Sequence, residues 1–137
     1  MAASGEVLQM MMENANWNNF LIAAEQGLNE SLKAGIGNLL PGYTIIQAFD
    51  WFEIGRKFTE EKPGFVLLDT ELSGVDTARF IHTVKEDPFF GKPNVFLLTN
   101  DSSVIQADAV FSKPLDLSKL EAVMKDLEKQ LDMAVTA

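Results

Sequence analysis

The 137-residue sequence contains no cysteine and a single histidine, His82. The first absence removes disulfides, thiolate nucleophiles and Cys-ligated zinc. The second leaves too few imidazoles for a His-based metal site or a Ser-His-Asp triad. Positive charge is scarce as well, with 11 Lys and Arg against 20 Asp and Glu and a formal net charge of -9. A phosphate backbone is held by clustered Lys and Arg that displace its counterions, so nucleic acid is not an expected partner, and a membrane surface is disfavoured likewise. No apolar run approaches the roughly 20 residues that span a bilayer, and the N-terminus lacks the basic-then-apolar order of a secretory leader. A cytoplasmic protein is expected.

What is present is apolar material for one core, 47% of the residues, and a chain of this length is too short for two ordinary domains. Residues 1–18 precede any strand signal and read as an N-terminal extension, with residues 19–133 as the domain. Within the extension, residues 6–13 have the content for two helical turns, and Leu8, Met11 and Met12 there are suited to covering an apolar groove.

Five short apolar or β-branched runs read as strands: residues 20–24, 43–48, 65–69, 94–99 and 109–111. Between them lie helical patterns. Leu28, Leu32, Ile36, Leu39 and Leu40 recur at helical spacing until Pro41-Gly42 stops them. Asp50 caps a short helix whose apolar face holds Trp51, Phe52, Ile54 and Phe58. Another begins near Asp76 with Phe80, Ile81 and Val84 inward, and Asp87-Pro88 closes it. Asp116 caps the last, which runs to about residue 133 with Leu117, Leu120, Val123, Met124, Leu127 and Leu131 on one face.

Strand and helix in alternation imply right-handed crossovers, hence a parallel sheet with helices on both faces. The expected class is α/β and flavodoxin-like, with strand order 2-1-3-4-5, in which the first and third strands flank the ligand crevice. The run Phe65-Val66-Leu67-Leu68 is apolar without alternation, as a strand covered on both faces would be, and it ends on Asp69. Glu25 follows the first strand, so the two acids are expected to meet across the crevice, joined there by Thr99 and Lys113. Two carboxylates suit an octahedral Mg²⁺ ion, and Asp69 can attack phosphorus while Lys113 and Thr99 bind the incoming oxygens.

Leu67-Leu68-Asp69 followed by Ser73-Gly74-Val75-Asp76, Leu97-Leu98-Thr99, and Ser112-Lys113-Pro114 together resemble the receiver domain of two-component response regulators, over roughly residues 19–132. The resemblance implies that Asp69 accepts a phosphoryl group from a histidine kinase or a histidine phosphotransfer protein, with Mg²⁺ bound nearby. It implies further that Thr99 and Lys113 are drawn inward to bias a surface read by a downstream protein target. It also implies a cis peptide before Pro114. No enzymatic activity beyond acceptance of phosphate is expected, and no output domain is visible.

The chain departs from the family pattern at several positions. Ala24-Glu25 carries one acid where two are usual, and Glu71, two residues past Asp69, either makes up that deficit at the metal or is simply solvated. Asn100 stands where a small residue is preferred, and Val110 where an aromatic switch residue is common. Only fourteen positions separate Thr99 from Lys113, about two turns short of the usual helix between them. A shortened or absent fourth helix would leave Val95, Leu97 or Phe111 in want of cover, from the Met-rich extension or from a second subunit in a homodimer. His82 reads as solvent-facing, and Trp51, Phe52, Phe89 and Phe90 as core or rim packing. The rival readings are a phosphorylation-independent pseudo-receiver, binding or dimerising with Asp69 and Lys113 as structure, and a small flavodoxin-like enzyme or nucleotide binder. The second is disfavoured because Glu25-Gln26-Gly27 would repel a phosphate rather than cradle one.

Overall fold

The computed structural model describes residues 16–74, 76–101 and 107–136. Five parallel strands form one sheet in the order β2-β1-β3-β4-β5: β1 Asn16–Ala23, β2 Thr44–Ala48, β3 Pro63–Asp69, β4 Asn94–Leu98 and β5 Ala109–Phe111. The helices are α1 Gln26–Leu39, α2 Trp51–Glu61, α3 Thr77–Glu86 and α4 Leu117–Thr136, with a short 3-10 turn at Pro88–Phe90. The flavodoxin-like architecture expected from the alternation of patterns is the one found.

Alternate residues of each strand feed two apolar layers, as a period of two requires. Phe20, Ile22, Phe65, Leu67, Phe96, Leu98 and Phe111 pack against Leu32 and Ile36 of α1 and Leu120 and Met124 of α4. On the other face Leu21, Ala23, Val66, Leu68, Val95 and Leu97 meet Ile54 and Phe58 of α2 and Phe80, Ile81 and Val84 of α3. The two expected acidic caps, Asp50 and Asp116, are in place, and Asp76 is a third. Asp50 accepts the Glu53 N–H, Asp76 the Arg79 N–H, and Asp116 the Ser118 N–H and hydroxyl. The Ser118 bonds depress the Asp116 carboxyl below its ordinary value.

Several local expectations are corrected. The first strand begins at Asn16 rather than at residue 20, because Trp17 packs edge-on against Phe65 and the Asn19 amide donates to the Glu61 carbonyl, contacts that a polar run such as Asn16-Trp17-Asn18-Asn19 does not advertise. Gly64 permits this approach: a Cβ there would stand 2.9 Å from Trp17 Cα. Val95 and Leu97 are buried in the apolar layer they share with α2 and α3, and Phe111 turns inward onto Phe96, leaving Val110, 45% exposed, on the outside. Ile54 and Phe58, one turn apart, take the whole inner face of α2, so Trp51 and Phe52 stand 41% and 79% exposed. His82 is exposed, as expected. The helical segment at residues 6–13 and the core of the shortened β4–β5 connection, residues 102–106, lie outside the described residues.

Candidate functional site

β3 carries Asp69 to the C-terminal edge of the sheet and leaves it buried, with 4% of its surface exposed. The carboxylate is held there by the turn that follows: Oδ1 accepts the Glu71 N–H at 3.0 Å, and the Asp69 carbonyl accepts the Leu72 N–H at 3.1 Å. Gly74 completes the turn with φ +82°, a left-handed conformation that costs glycine nothing.

Register brings the hydroxyl alongside. Asp69 pairs with Leu98 of β4, and Thr99 is the next residue. Buried Thr99 is fixed on both sides, its N–H donating to the Phe111 carbonyl at 2.8 Å and its Oγ1 accepting the Asp101 N–H at 3.0 Å. Leu98 in turn pairs with Phe111 of β5, and Lys113 lies two residues further on. The Lys113–Pro114 peptide is cis. The Lys113 N–H donates to Asn100 Oδ1 at 2.9 Å, so Asn100 orients the lysine-bearing turn from the neighbouring strand end.

The Lys113 ammonium lies 2.8 Å from Asp69 Oδ1 and 2.5 Å from Glu71 Oε2. Burial pulls the amine down, but hydrogen bonds to Asp69 and Glu71 and their charges outweigh it, so Lys113 is held above the ordinary lysine value. Both described contacts to Asp69 fall on Oδ1; among the described residues Oδ2 takes none. A carboxylate pinned through one oxygen presents the other as a nucleophile. Beside this edge a cleft of about 330 Å³ is lined by Thr99, Asn100, Val110, Phe111 and Ser112.

Glu25, Asp69 and Glu71 do not make the cation site expected from the sequence. Among the described residues no group of three or more His, Cys, Asp or Glu side chains is placed to hold a metal ion. Glu25 is exposed at the start of α1, without a side-chain cap bond, and Glu71 is turned onto Lys113. The protein's own ammonium is paired with two of the three acids, and the donor set does not fit Mg²⁺ as it stands.

Two polar residues that organise this edge escape a reading by motif. Asn100, which stands where a small residue is preferred, accepts the Lys113 N–H. Asn29 is wholly buried in the first turns of α1; its amide nitrogen lies 3.0, 3.1 and 2.9 Å from the carbonyls of Ile22, Ala24 and Ala48, and its Oδ1 accepts from Gln47 Nε2 at 3.0 Å. Asparagine on the apolar face of a helix is the signal that marks such a hub, because a buried amide must be satisfied.

No helix among the described residues is long and apolar enough to cross a membrane. No family model matches the sequence. It is 26% identical over 113 residues to the transcriptional regulatory protein CrdR of Helicobacter pylori (strain ATCC 700392 / 26695), a match covering 77% of this chain and 52% of that protein. The chain thus spans about half the length of the curated relative it matches. Among solved structures, the signal receiver domain of the DNA binding response regulator protein merR from Colwellia psychrerythraea 34H superposes with a TM-score of 0.73 at 26% identity, over 81% of this chain and 98% of that one. The receiver domain of a response regulator from Bermanella marisrubri gives 0.67 at 20% identity, over 82% and 98%. A response regulator receiver modulated diguanylate cyclase from Pelobacter carbinolicus gives 0.64 at 19% identity, over 84% and 98%. The last two likenesses speak to the fold alone.

Proposed function

We propose that this chain, which has the receiver-domain fold of response regulators, serves two-component signalling by taking a phosphoryl group onto Asp69 and passing the change on through protein contacts. One observation carries the reading. At the sheet edge a buried carboxylate is pinned through one oxygen by an ammonium 2.8 Å away, with a fixed hydroxyl one position along the neighbouring strand.

The chemistry follows from that placement. Asp69 Oδ2 attacks the phosphorus of a phosphohistidine on a histidine kinase or phosphotransfer protein. The P–N bond breaks, its electron pair returns to the imidazole, and an acyl phosphate forms on Asp69. Lys113 supplies positive charge to the phosphoryl oxygens, and the Thr99 hydroxyl, whose oxygen accepts the Asp101 N–H, keeps its own hydrogen to donate. Charge added at Asp69 pulls on Lys113 and Thr99, and through them on the ends of β4 and β5, where Val110 faces outward. With a net charge of -9, a protein target is the natural reader of that surface.

The test is incubation with acetyl phosphate, with Mg²⁺ present and with EDTA, followed by intact mass. A single phosphoryl adduct on the native chain and none on Asp69→Asn is the expected result. Absence of the adduct from the native chain in every condition refutes the acceptor role.

The double pairing of Lys113 favours a second reading, a pseudo-receiver in which this edge is permanent structure and the domain binds or dimerises without phosphate. It predicts that Asp69→Asn changes stability and leaves oligomeric state and partner binding untouched by acetyl phosphate.

A further inference from the structure

The Glu71 side chain is 79% exposed, yet its carboxylate reaches an ammonium that is otherwise the property of Asp69, whose side chain is only 5% exposed. An ion pair on so exposed an acid adds little to folding stability, since water is an equally good partner and salt screens the attraction. Its effect falls on Lys113 instead. A lysine ammonium has three donors, and carboxylates engage two of them here. Glu71 holds the edge twice, because its backbone N–H also donates to Asp69 Oδ1. The misfit with a metal has the same origin: the acid placed to share a cation with Asp69 shares Lys113.

We infer that Glu71 is a positioning residue for phosphoryl transfer, whose carboxylate stands in on Lys113 for the phosphoryl oxygens and must be displaced when they arrive. The inference rests on the reading of Asp69 as acceptor and deepens it with a regulatory element. With Glu71 in place the two acids and one ammonium sum to a single negative charge, which opposes an incoming phosphoryl anion; without the Glu71 charge they sum to zero. Since Glu71 is exposed, the displaced carboxylate passes into water at small cost, so it slows phosphorylation without forbidding it. Displacement also moves a charge at the mouth of the site, on the turn that carries Gly74.

The native chain and Glu71→Gln are compared in two measurements. In the first, adduct formation from acetyl phosphate is followed by intact mass at several salt concentrations. Loss of one exposed pair corresponds to a rate about two- to five-fold higher in Glu71→Gln at low salt. Added salt should bring the native rate up toward that of the variant, a convergence that a merely structural role would not produce. In the second, a brief pulse of acetic anhydride followed by peptide mass spectrometry reads the reactivity of the Lys113 amine, which should rise in the variant.

Faster transfer together with a more reactive Lys113 supports the inference. If the native chain is phosphorylated and Glu71→Gln is no faster, the inference is overturned while Asp69 stands as acceptor. If neither protein takes the adduct but Lys113 becomes more reactive, the acceptor reading fails and the hold of Glu71 on Lys113 is upheld. An unchanged Lys113 with no adduct in either protein overturns both.

Discussion

Replacing Asn29 by alanine should cost far more than a helix substitution ordinarily does. One amide nitrogen lies within 3.1 Å of three carbonyls, those of Ile22, Ala24 and Ala48. It has only two hydrogens, so at least one of them is shared. Ala48 keeps a second donor in the Ala24 N–H at 3.2 Å. Truncation therefore strips the equivalent of two buried hydrogen bonds, at about 1–3 kcal/mol for each acceptor left without a donor, partly relieved where water enters. A loss of roughly 2–4 kcal/mol corresponds to a melting temperature lowered by about 10 °C in a domain of this size. Urea unfolding followed by circular dichroism should show a lower midpoint at unchanged slope, the mark of a stability change rather than of a different denatured state. The decisive companion is Asn29→Asp, which keeps the shape and removes both donors, setting an anion against three carbonyl oxygens. It should be less stable than the alanine variant at neutral pH. If Asn29→Asp matches the native protein, or Asn29→Ala loses less than about 0.5 kcal/mol, within the range of an ordinary surface change, the hub does not hold these strand ends together.

Two glycines give opposite expectations. Gly64→Ala forces a methyl to within 2.9 Å of the Trp17 backbone and should destabilise by about 1–3 kcal/mol, whereas Gly37→Ala, with open space around the new Cβ, should stabilise α1 by about 0.5–1 kcal/mol; both are read from denaturation midpoints. Asp108→Ala removes the acceptor that the Lys85 ammonium and the Val95 N–H share and should cost about 1–3 kcal/mol, more than Asp108→Asn, which keeps an oxygen for Val95. Burial, then the charge and hydrogen bond of Glu128, push the Tyr43 hydroxyl up to about 12. Because that value is above the unfolded one, Tyr43 contributes in full below pH of about 10 and its contribution is lost as pH climbs toward 12. Lys113 acts in the same direction, so the difference between Tyr43→Phe and native protein is the quantity to follow; Tyr43→Phe should lose stability less steeply across that window, and parallel curves would refute the assignment.

How legible the molecule was depends on the range of the interactions involved. The sheet order, the acidic caps and the convergence of Asp69, Thr99 and Lys113 on one edge follow from local patterns: apolar runs with an acid or hydroxyl at their ends, Asp before each of three helices, and alternation that forces crossovers. Asn16 to Asn19 carry no such pattern, and their place in β1 depends on Trp17 meeting Phe65 and Gly64, contacts distant in the chain. The outward turn of Phe52 was likewise hidden, since Ile54 and Phe58 already fill the inner face of α2. At the site itself the pairing of Glu71 is not legible: its place two residues from Asp69 suggests a shared metal, but which cation an acid meets depends on where Lys113 comes back across the sheet.

The positions of the two described tryptophans give the molecule its own optical reporters. Trp17 is lodged against Phe65 at the far rim of the sheet. Trp51 lies edge-on to Phe80, its Cβ 3.8 Å from where a side chain on Gly74 would begin, on the very turn that follows Asp69. Replacing Trp17 by phenylalanine would leave a lone emitter next to that turn, so that events at Asp69 could be watched by fluorescence in real time, with no attached dye and no radioactive phosphate.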